Sequence, residues 1–360
     1  MPDKPEKRLY LSSSPHIYSP VSVSSLMLSV VLALIPSTIY GIYLYGIFAL
    51  ASVLVSVAAA VLGEYLFRKI IKASTTITDG SAIVTGMLVA LIVPPKTPLW
   101  MVALGSLFAI IVVKEFFGGL GSNPFNPALA ARAFLLMSFP AAMTTWTMPK
   151  GLAVHADALT SASQLADATA AATSQVADAV STATPLGLLH GHYTVAQIAQ
   201  YYGASDTAGF YKQLFLGFRP GSMGESSILL ILLGGLLLLS LGVIQWIIPV
   251  SVIGSTFVFA WIFGLDPVFT ILTGGVVFSA FFMATDYVTR PLTPLGQVLY
   301  GVGIGLIIVI IREFGGYPEG VTYAILIMNI ITPYLNKLKT KKYGYVAPPK
   351  PVKAVKGASK

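Results

Sequence analysis

The sequence predicts an all-α integral membrane protein, and two observations carry that prediction. The 360-residue chain is 55% hydrophobic and only 10% charged, where a soluble domain carries about 25% charged residues. Its apolar residues fall into ten runs, five before and five after a polar stretch from Met143 to Glu225. Most runs approach the ~20 residues that cross a bilayer as a helix. The absence of cysteine narrows the chemistry further. Without thiolates the chain supplies no ligand for an iron–sulfur cluster, no c-type haem link and no disulfide. Any electrons it handles therefore travel on an organic cofactor.

Taken in order, residues 1–20 form a polar arm, with Lys4, Lys7 and Arg8 ahead of Ser12-Ser13-Ser14-Pro15-His16. No cleavable signal peptide is expected, because the first apolar run lacks a small-residue cleavage site and leads straight into the second. The first membrane unit, residues 21–143, holds runs at Val21–Tyr40, Ile47–Phe67, Ala82–Pro94, Leu99–Phe117 and Ala128–Met143. The third and fifth are short and broken by glycine and proline. Interrupted spans of that kind are expected where irregular backbone lines a buried site. A polar loop occupies residues 144–226. The second membrane unit, residues 227–335, holds runs at Ser227–Ile247, Val250–Phe263, Val268–Ala284, Leu295–Ile311 and Val321–Leu335. A lysine-rich tail, residues 336–360, closes the chain without one acidic residue.

The two units echo each other. Ile83-Val84-Thr85-Gly86 is matched by Ile271-Leu272-Thr273-Gly274, and Lys114-Glu115-Phe116 by Arg312-Glu313-Phe314. Because each unit has an odd number of spans, the second copy is expected to be inverted relative to the first, giving two inverted five-helix repeats. The amino-terminal arm, the Arg68-Lys69-Lys72 connector and the lysine tail then share one face, which the basic bias assigns to the cytoplasm. The basic tail is read as an orientation signal, not a nucleic-acid patch, and the loop is placed outside the cytoplasm. Within that loop, Asp178-Ala179-Val180-Ser181-Thr182-Ala183-Thr184-Pro185 offers hydroxyls after an acid and before a proline expected to stop any regular element. Thr184 is the hydroxyl singled out.

Together these residues resemble a known family: the D subunits of Rnf complexes, similar also to the B subunits of sodium-pumping NADH:quinone oxidoreductases. The resemblance covers nearly the whole chain. It rests on Ser14-Pro15-His16, Asp79-Gly80-Ser81-Ala82-Ile83-Val84-Thr85-Gly86, Gly121-Ser122-Asn123-Pro124-Phe125-Asn126-Pro127, Ser222-Met223-Gly224-Glu225-Ser226-Ser227 and Met283-Ala284-Thr285-Asp286. It implies FMN joined by a phosphoester to Thr184, with Asp178 and Ser181 recognised by a separate flavin transferase. Thr182 stands where glycine is commoner. It also implies partner subunits that carry iron–sulfur clusters and flavin, in an inner-membrane machine that links ferredoxin and NAD to Na+ or H+ translocation. This subunit is then part of an oxidoreductase without a catalytic residue of its own. A second, non-covalent flavin such as riboflavin is suggested beside Asn123 and Asn126, and Asp286 is the candidate on an ion path.

Other signals are weaker. Gly301-Val302-Gly303-Ile304-Gly305 lies inside an apolar run and reads as close helix packing, not a dinucleotide loop. His190-Gly191-His192 lacks a third ligand, so no metal site is assigned. Glu64, Lys114, Glu115, Arg132, Asp266, Asp286, Arg312 and Glu313 lie in or beside apolar runs, where charge is costly. The competing reading is an inverted-repeat transporter or channel without a cofactor. The topology is testable because the chain has no cysteine of its own: single cysteines replacing Ser163 and Ser359 are expected to react with an impermeant thiol reagent from opposite faces of the membrane. Labelling of both from one face removes the ten-span arrangement.

Overall fold

A computed structural model describes residues 22–150, 152, 184–191, 193–316 and 319–338. Among them the chain is helical, with no β-strand. In the first half lie α1 (Val23–Tyr45), α2 (Ile47–Ile70), α3 (Ser81–Ile92), α4 (Leu99–Leu107, continued by a π-helical stretch to Lys114), α5 (Pro127–Ser138) and α6 (Pro140–Thr144). The polar loop contributes α7 (Pro185–His190), α8 (Val195–Tyr201) and α9 (Thr207–Leu216). The second half holds α10 (Ile228–Ser240), α11 (Ile247–Ile262), α12 (Pro267–Leu272), α13 (Val276–Phe282), α14 (Pro294–Phe314) and α15 (Val321–Leu335). By length and composition α1, α2 and α14 suffice to cross a membrane, and α3, α5, α10, α11 and α15 are shorter apolar helices. This is the make-up of a membrane protein.

Local chemistry starts these helices. Asn126, Thr184, Asp266 and Thr293 each sit at an N-cap in extended backbone, accept a hydrogen bond from the first turn, and are followed by proline. A short oxygen acceptor and a fixed proline φ together satisfy the orphan amides of a new helix. Pro185 therefore does the opposite of what the sequence suggested: it opens a helix instead of stopping one. Between α1 and α2 the chain turns at Gly46, whose φ of 84° suits glycine alone.

Small residues then let the helices approach. The Ser56 hydroxyl on α2 donates to the Gly86 carbonyl on α3 at 2.6 Å and lies 2.7 Å from the Ser106 hydroxyl on α4. In the second half the Ser255 hydroxyl on α11 donates to the Gly301 carbonyl on α14 at 3.0 Å. Side chains on Gly301 or Gly305 would collide with Ser251 and Ser255. The glycine run is helix packing, as its position in an apolar run implied.

The eighth apolar run, read as a single span, is broken. Its two pieces, α12 and α13, meet at Thr273-Gly274-Gly275, with φ of 62° and 68° at the glycines. Arg312 on α14 fills the break, donating to the carbonyls of Thr270 at 2.5 Å, Thr273 at 3.0 Å and Gly274 at 3.5 Å. Arg219 donates to the Leu272 carbonyl from the other side. Loop helices α7–α9 were not foreseen either. They share a core with the body, where Phe210 stacks between Tyr202 and Phe269 at ring distances of 5.9 and 6.3 Å.

A Cβ at Gly86 would lie 2.7 Å from the Val57 Cα, a backbone atom that cannot yield, whereas one at Gly254 meets nothing within 4 Å. Gly86→Ala is expected to destabilise the detergent-solubilised protein by about 1–3 kcal/mol through overpacking, and Gly254→Ala to leave it unchanged or slightly more stable. Thermal unfolding of the two variants side by side checks the prediction.

Candidate functional site

Two polar centres lie at opposite ends of the helical body. Helix α1, about 34 Å long at its 23 residues, starts beside one, where Met27 lines a cavity. It ends beside the other, where the Tyr45 hydroxyl lies 3.3 and 3.2 Å from the carbonyls of Arg219 and Gly221.

The first centre is built on a buried lysine. Lys114, at the end of the π-helical stretch, is 2% exposed. Its Nζ donates to Glu64 Oε2 and to Ser81 Oγ, both at 2.7 Å, and lies 3.8 Å from Glu115 Oε1. Arg68 Nε reaches Glu115 Oε2 at 3.0 Å, and the Thr76 hydroxyl donates to the other Glu64 oxygen. Asp79 fixes Ser81 by accepting from both its amide and its hydroxyl. The alternation of cations, carboxylates and hydroxyls keeps each buried charge paired.

Beside it lies a cavity of about 90 Å³. Ser81, Lys114, Asn123, Asn126, Thr285 and Asp286 line it, between apolar walls from Leu88, Phe281 and Phe282. Three of the residues singled out in the sequence, Asn123, Asn126 and Asp286, are thus brought together. Asn126 caps α5 and donates to the Met283 carbonyl at 3.2 Å, tying α5 to the end of α13, while Asn123 donates to the Phe125 carbonyl at 2.9 Å. Asp286 accepts from the Thr289 hydroxyl at 3.1 Å. Burial pushes its carboxyl above the ordinary range, and the Thr289 hydroxyl and the Arg290 charge pull it part of the way back.

The second centre holds Thr184. The residue is 8% exposed, and its Oγ accepts from the Gly187 amide at 3.0 Å. It shares a small cavity with Arg219, Glu225, Gly274 and Glu319. Arg219 donates to the Glu225 carbonyl at 2.8 Å, and its Nε is buried without a hydrogen-bond partner. Burial holds the Arg219 guanidinium below its ordinary pKa, and the charges of Glu225 and Glu319 offset part of that. Glu319 is ion-paired with Arg132. The Thr184 oxygen thus shares a cavity of about 10 Å³ with one guanidinium and two carboxylates. Asp178 and Ser181 lie outside the described residues.

Sequence reasoning counted Arg219 only as a loop charge and passed over Glu319. Nothing in their spacing announces that they line a cavity with Thr184, since the fold brings them together. Among the described residues no group of three or more histidine, aspartate or glutamate side chains is arranged to hold a metal.

The profile of the NQR2, RnfD, RnfE family matches residues 10–344. The chain is 44% identical over 336 residues to the D subunit of the proton-translocating ferredoxin:NAD(+) oxidoreductase complex of Clostridium ljungdahlii, covering 91% of this chain and 93% of the relative. It is 40% identical over 352 residues to the D subunit of the Na(+)-translocating ferredoxin:NAD(+) oxidoreductase complex of Acetobacterium woodii, covering 97% and 99%. It is 38% identical over 347 residues to the D subunit of the ion-translocating oxidoreductase complex of Stutzerimonas stutzeri, covering 93% and 96%.

Removing one partner from the first centre strands the other charge. Lys114→Met is expected to destabilise the protein by about 3–5 kcal/mol, because buried Glu64 loses its close cation and keeps only Arg68 Nε at 4.0 Å. Adding Glu64→Gln should recover most of the loss. Denaturation of the single and double variants in detergent checks this, and equal stability of the two would remove the pairing argument.

Proposed function

The chain belongs to the NQR2, RnfD, RnfE family, and from that membership we propose that it serves as a membrane subunit of an ion-translocating ferredoxin:NAD+ oxidoreductase complex. The observation that carries the reading is identity of 40–44% to subunits of such complexes over more than nine-tenths of the chain. The names of the relatives divide between H+ and Na+, and the reading covers both. A free-standing transporter is the less favoured reading, since the relatives are named as subunits of redox complexes. The partners are the other subunits of the complex, bearing iron–sulfur clusters and flavin.

Thr184 is the acceptor of FMN in this reading. Its support is the fit of Asp178, Ser181, Ala183 and Thr184 to the family's acceptor pattern of Asp, two variable residues, Ser or Thr, often Gly, then Ala-Thr, together with the Arg219 guanidinium that lines the same cavity as Thr184. A threonine hydroxyl is a weak nucleophile at its own pKa, so a flavin transferase using FAD and a divalent metal makes the bond, the hydroxyl losing its proton as the pyrophosphate of FAD breaks and AMP leaves. The flavin supplies one- or two-electron transfer, and the protein holds and tunes it. Within this chain the Thr184 oxygen anchors the phosphoryl group, Arg219 offsets its charge, and the Gly187 amide fixes the acceptor side chain.

Asn123 and Asn126 mark the place for a second, non-covalent flavin such as riboflavin. Their amides and the apolar walls suit a flavin's polar and apolar edges, but about 90 Å³ is below the ~300–1,000 Å³ of ordinary ligand sites. A flavin enters there only with the lining opened. Asp286 is the carboxylate proposed to meet the translocated ion. Two inverted five-helix repeats in the inner membrane, with both termini cytoplasmic and the 144–226 loop outside, complete the reading. It is supported by the opposed courses of α1 and α10. Helix α1 runs towards Arg219, whereas α10 starts near Glu225 and leads to Val243, whose carbonyl accepts from the Tyr287 hydroxyl next to Asp286.

Thr184→Val is expected to abolish flavin fluorescence of the denatured band on a gel, while Thr173→Val and Ser163→Ala, at the ends of the two similar acid-led stretches Asp167–Thr173 and Asp157–Ser163, leave it unchanged. Chain made without the transferase should fold but stay colourless in that band. A bare Thr184 peptide in mass spectrometry of the native protein refutes the assignment.

A further inference from the structure

The turn that joins α13 to α14 carries a cation that no carboxylate pairs. Arg290 is half-buried, and its guanidinium lies over the Tyr287 ring, 4.9 Å from the ring centre. One of its terminal nitrogens, Nη1, is buried without a hydrogen-bond partner, and the residue takes part in none of the ion pairs among the described residues. Asp286, the acid nearest to it in the sequence, accepts from the Thr289 hydroxyl, and no other acid occurs between Tyr287 and Arg312. The Tyr287 hydroxyl donates to the Val243 carbonyl, which fixes the ring that backs the guanidinium.

The end of α15 brings a second cation to the same corner. The Leu292 amide, two residues past Arg290, donates to Asn336 Oδ1 at 2.8 Å. The next residue, Lys337, is exposed, and its Nζ lies 5.4 Å from the centre of the Tyr334 ring. Beyond Leu338 the chain is rich in lysine and has no acid. Helix α14 is long enough to cross a membrane and begins at Pro294, so Arg290 and Lys337 stand where a span leaves the hydrocarbon. Leu292 and Tyr334 are exposed beside them, as is Trp246, three residues past Val243. Aromatic and basic residues mixed in this way mark the depth of lipid headgroups.

We infer that Arg290 and Lys337 bind the headgroup of an anionic phospholipid, whose acyl chains lie along the exposed face of α14 at Leu295, Val298 and Leu299. Both cations rest on aromatic rings, which hold them in place without neutralising them. A guanidinium stacked in this way keeps donors at its edge for phosphate oxygens. A soluble anion would use the cations alone. The exposed Leu295, Val298 and Leu299, on one face of the helix that starts four residues past Arg290, fit the hydrocarbon chains that only a lipid has. The headgroup then joins α14 to α15 at the end where the Leu292–Asn336 hydrogen bond also ties them.

The cysteine-free chain permits a direct test. Full-length Leu292→Cys protein is labelled with a fluorophore and reconstituted in phosphatidylcholine vesicles, and quenching by brominated phosphatidylglycerol is compared with quenching by brominated phosphatidylcholine. Half-quenching is expected at about a tenfold lower fraction of the anionic lipid, from the attraction of two basic residues at the surface. Arg290→Met should cut that preference to about threefold, and adding Lys337→Met should remove it. If Arg290→Met protein does not fold, Lys337→Met alone, at an exposed position, should lower the preference to about threefold. A label at Met137→Cys, exposed at the far end of α5, should be quenched equally by the two lipids. Equal quenching at Leu292→Cys overturns the inference, as does a preference that survives both substitutions or appears equally at Met137→Cys. Loss of the preference on adding millimolar inorganic phosphate identifies a soluble anion as the ligand and also overturns it.

Discussion

An interrupted helix in an apolar surrounding has carbonyls with no water to satisfy them, and the second half of this protein depends on which groups reach those carbonyls instead. Helix α12 has six residues, and beyond Phe269, whose carbonyl accepts from Thr273, the carbonyls at its end need partners from elsewhere. Arg312 supplies one from α14 and Arg219 another from the loop. The planar, permanently charged guanidinium suits the task, because its donors diverge in fixed directions and cannot be lost by deprotonation. Gly274 and Gly275 are required twice over, once for positive φ and once because Arg312 and Glu225 press against the space that a Cβ would fill.

The counterpart position in the first half is handled differently. Lys114 occupies the place that Arg312 has in the sequence echo, but α3 is continuous and leaves no broken carbonyls to fill. Lys114 therefore turns to carboxylates and a hydroxyl, and Glu64, Glu115, Arg68 and Ser81 close a charge network around it. One end of the body is thereby held by a lysine among acids, the other by arginines among carbonyls. The first arrangement turns its charges on one another. The second leaves Arg219 Nε and Arg312 Nε buried without a hydrogen-bond partner.

Much of the site was legible because its signals are local. Asn126 and Thr184 were singled out from short motifs, Asn123-Pro124-Phe125-Asn126 and the run from Asp178 to Thr184, although the proline after Thr184 was taken for a stop. The charges in apolar runs were noticed for their cost alone, and Lys114 and Arg312 both turned out buried. Their partners were not legible. Glu64 meets Lys114 across 50 residues, and Glu319 meets Arg132 across 187. No spacing rule reaches that far.

By itself the sequence determined the helical class, the lack of thiol chemistry and the places where helices start, because hydropathy, composition and capping act over a few residues. Tertiary structure alone decided that the eighth apolar run is two helices, that the polar loop folds α7–α9 onto Phe269, and that Thr184 shares a cavity with Arg219. Each of these is settled by which distant donor is available to an unpaired carbonyl or which ring fills a gap. Such matches exist only once the helices have packed.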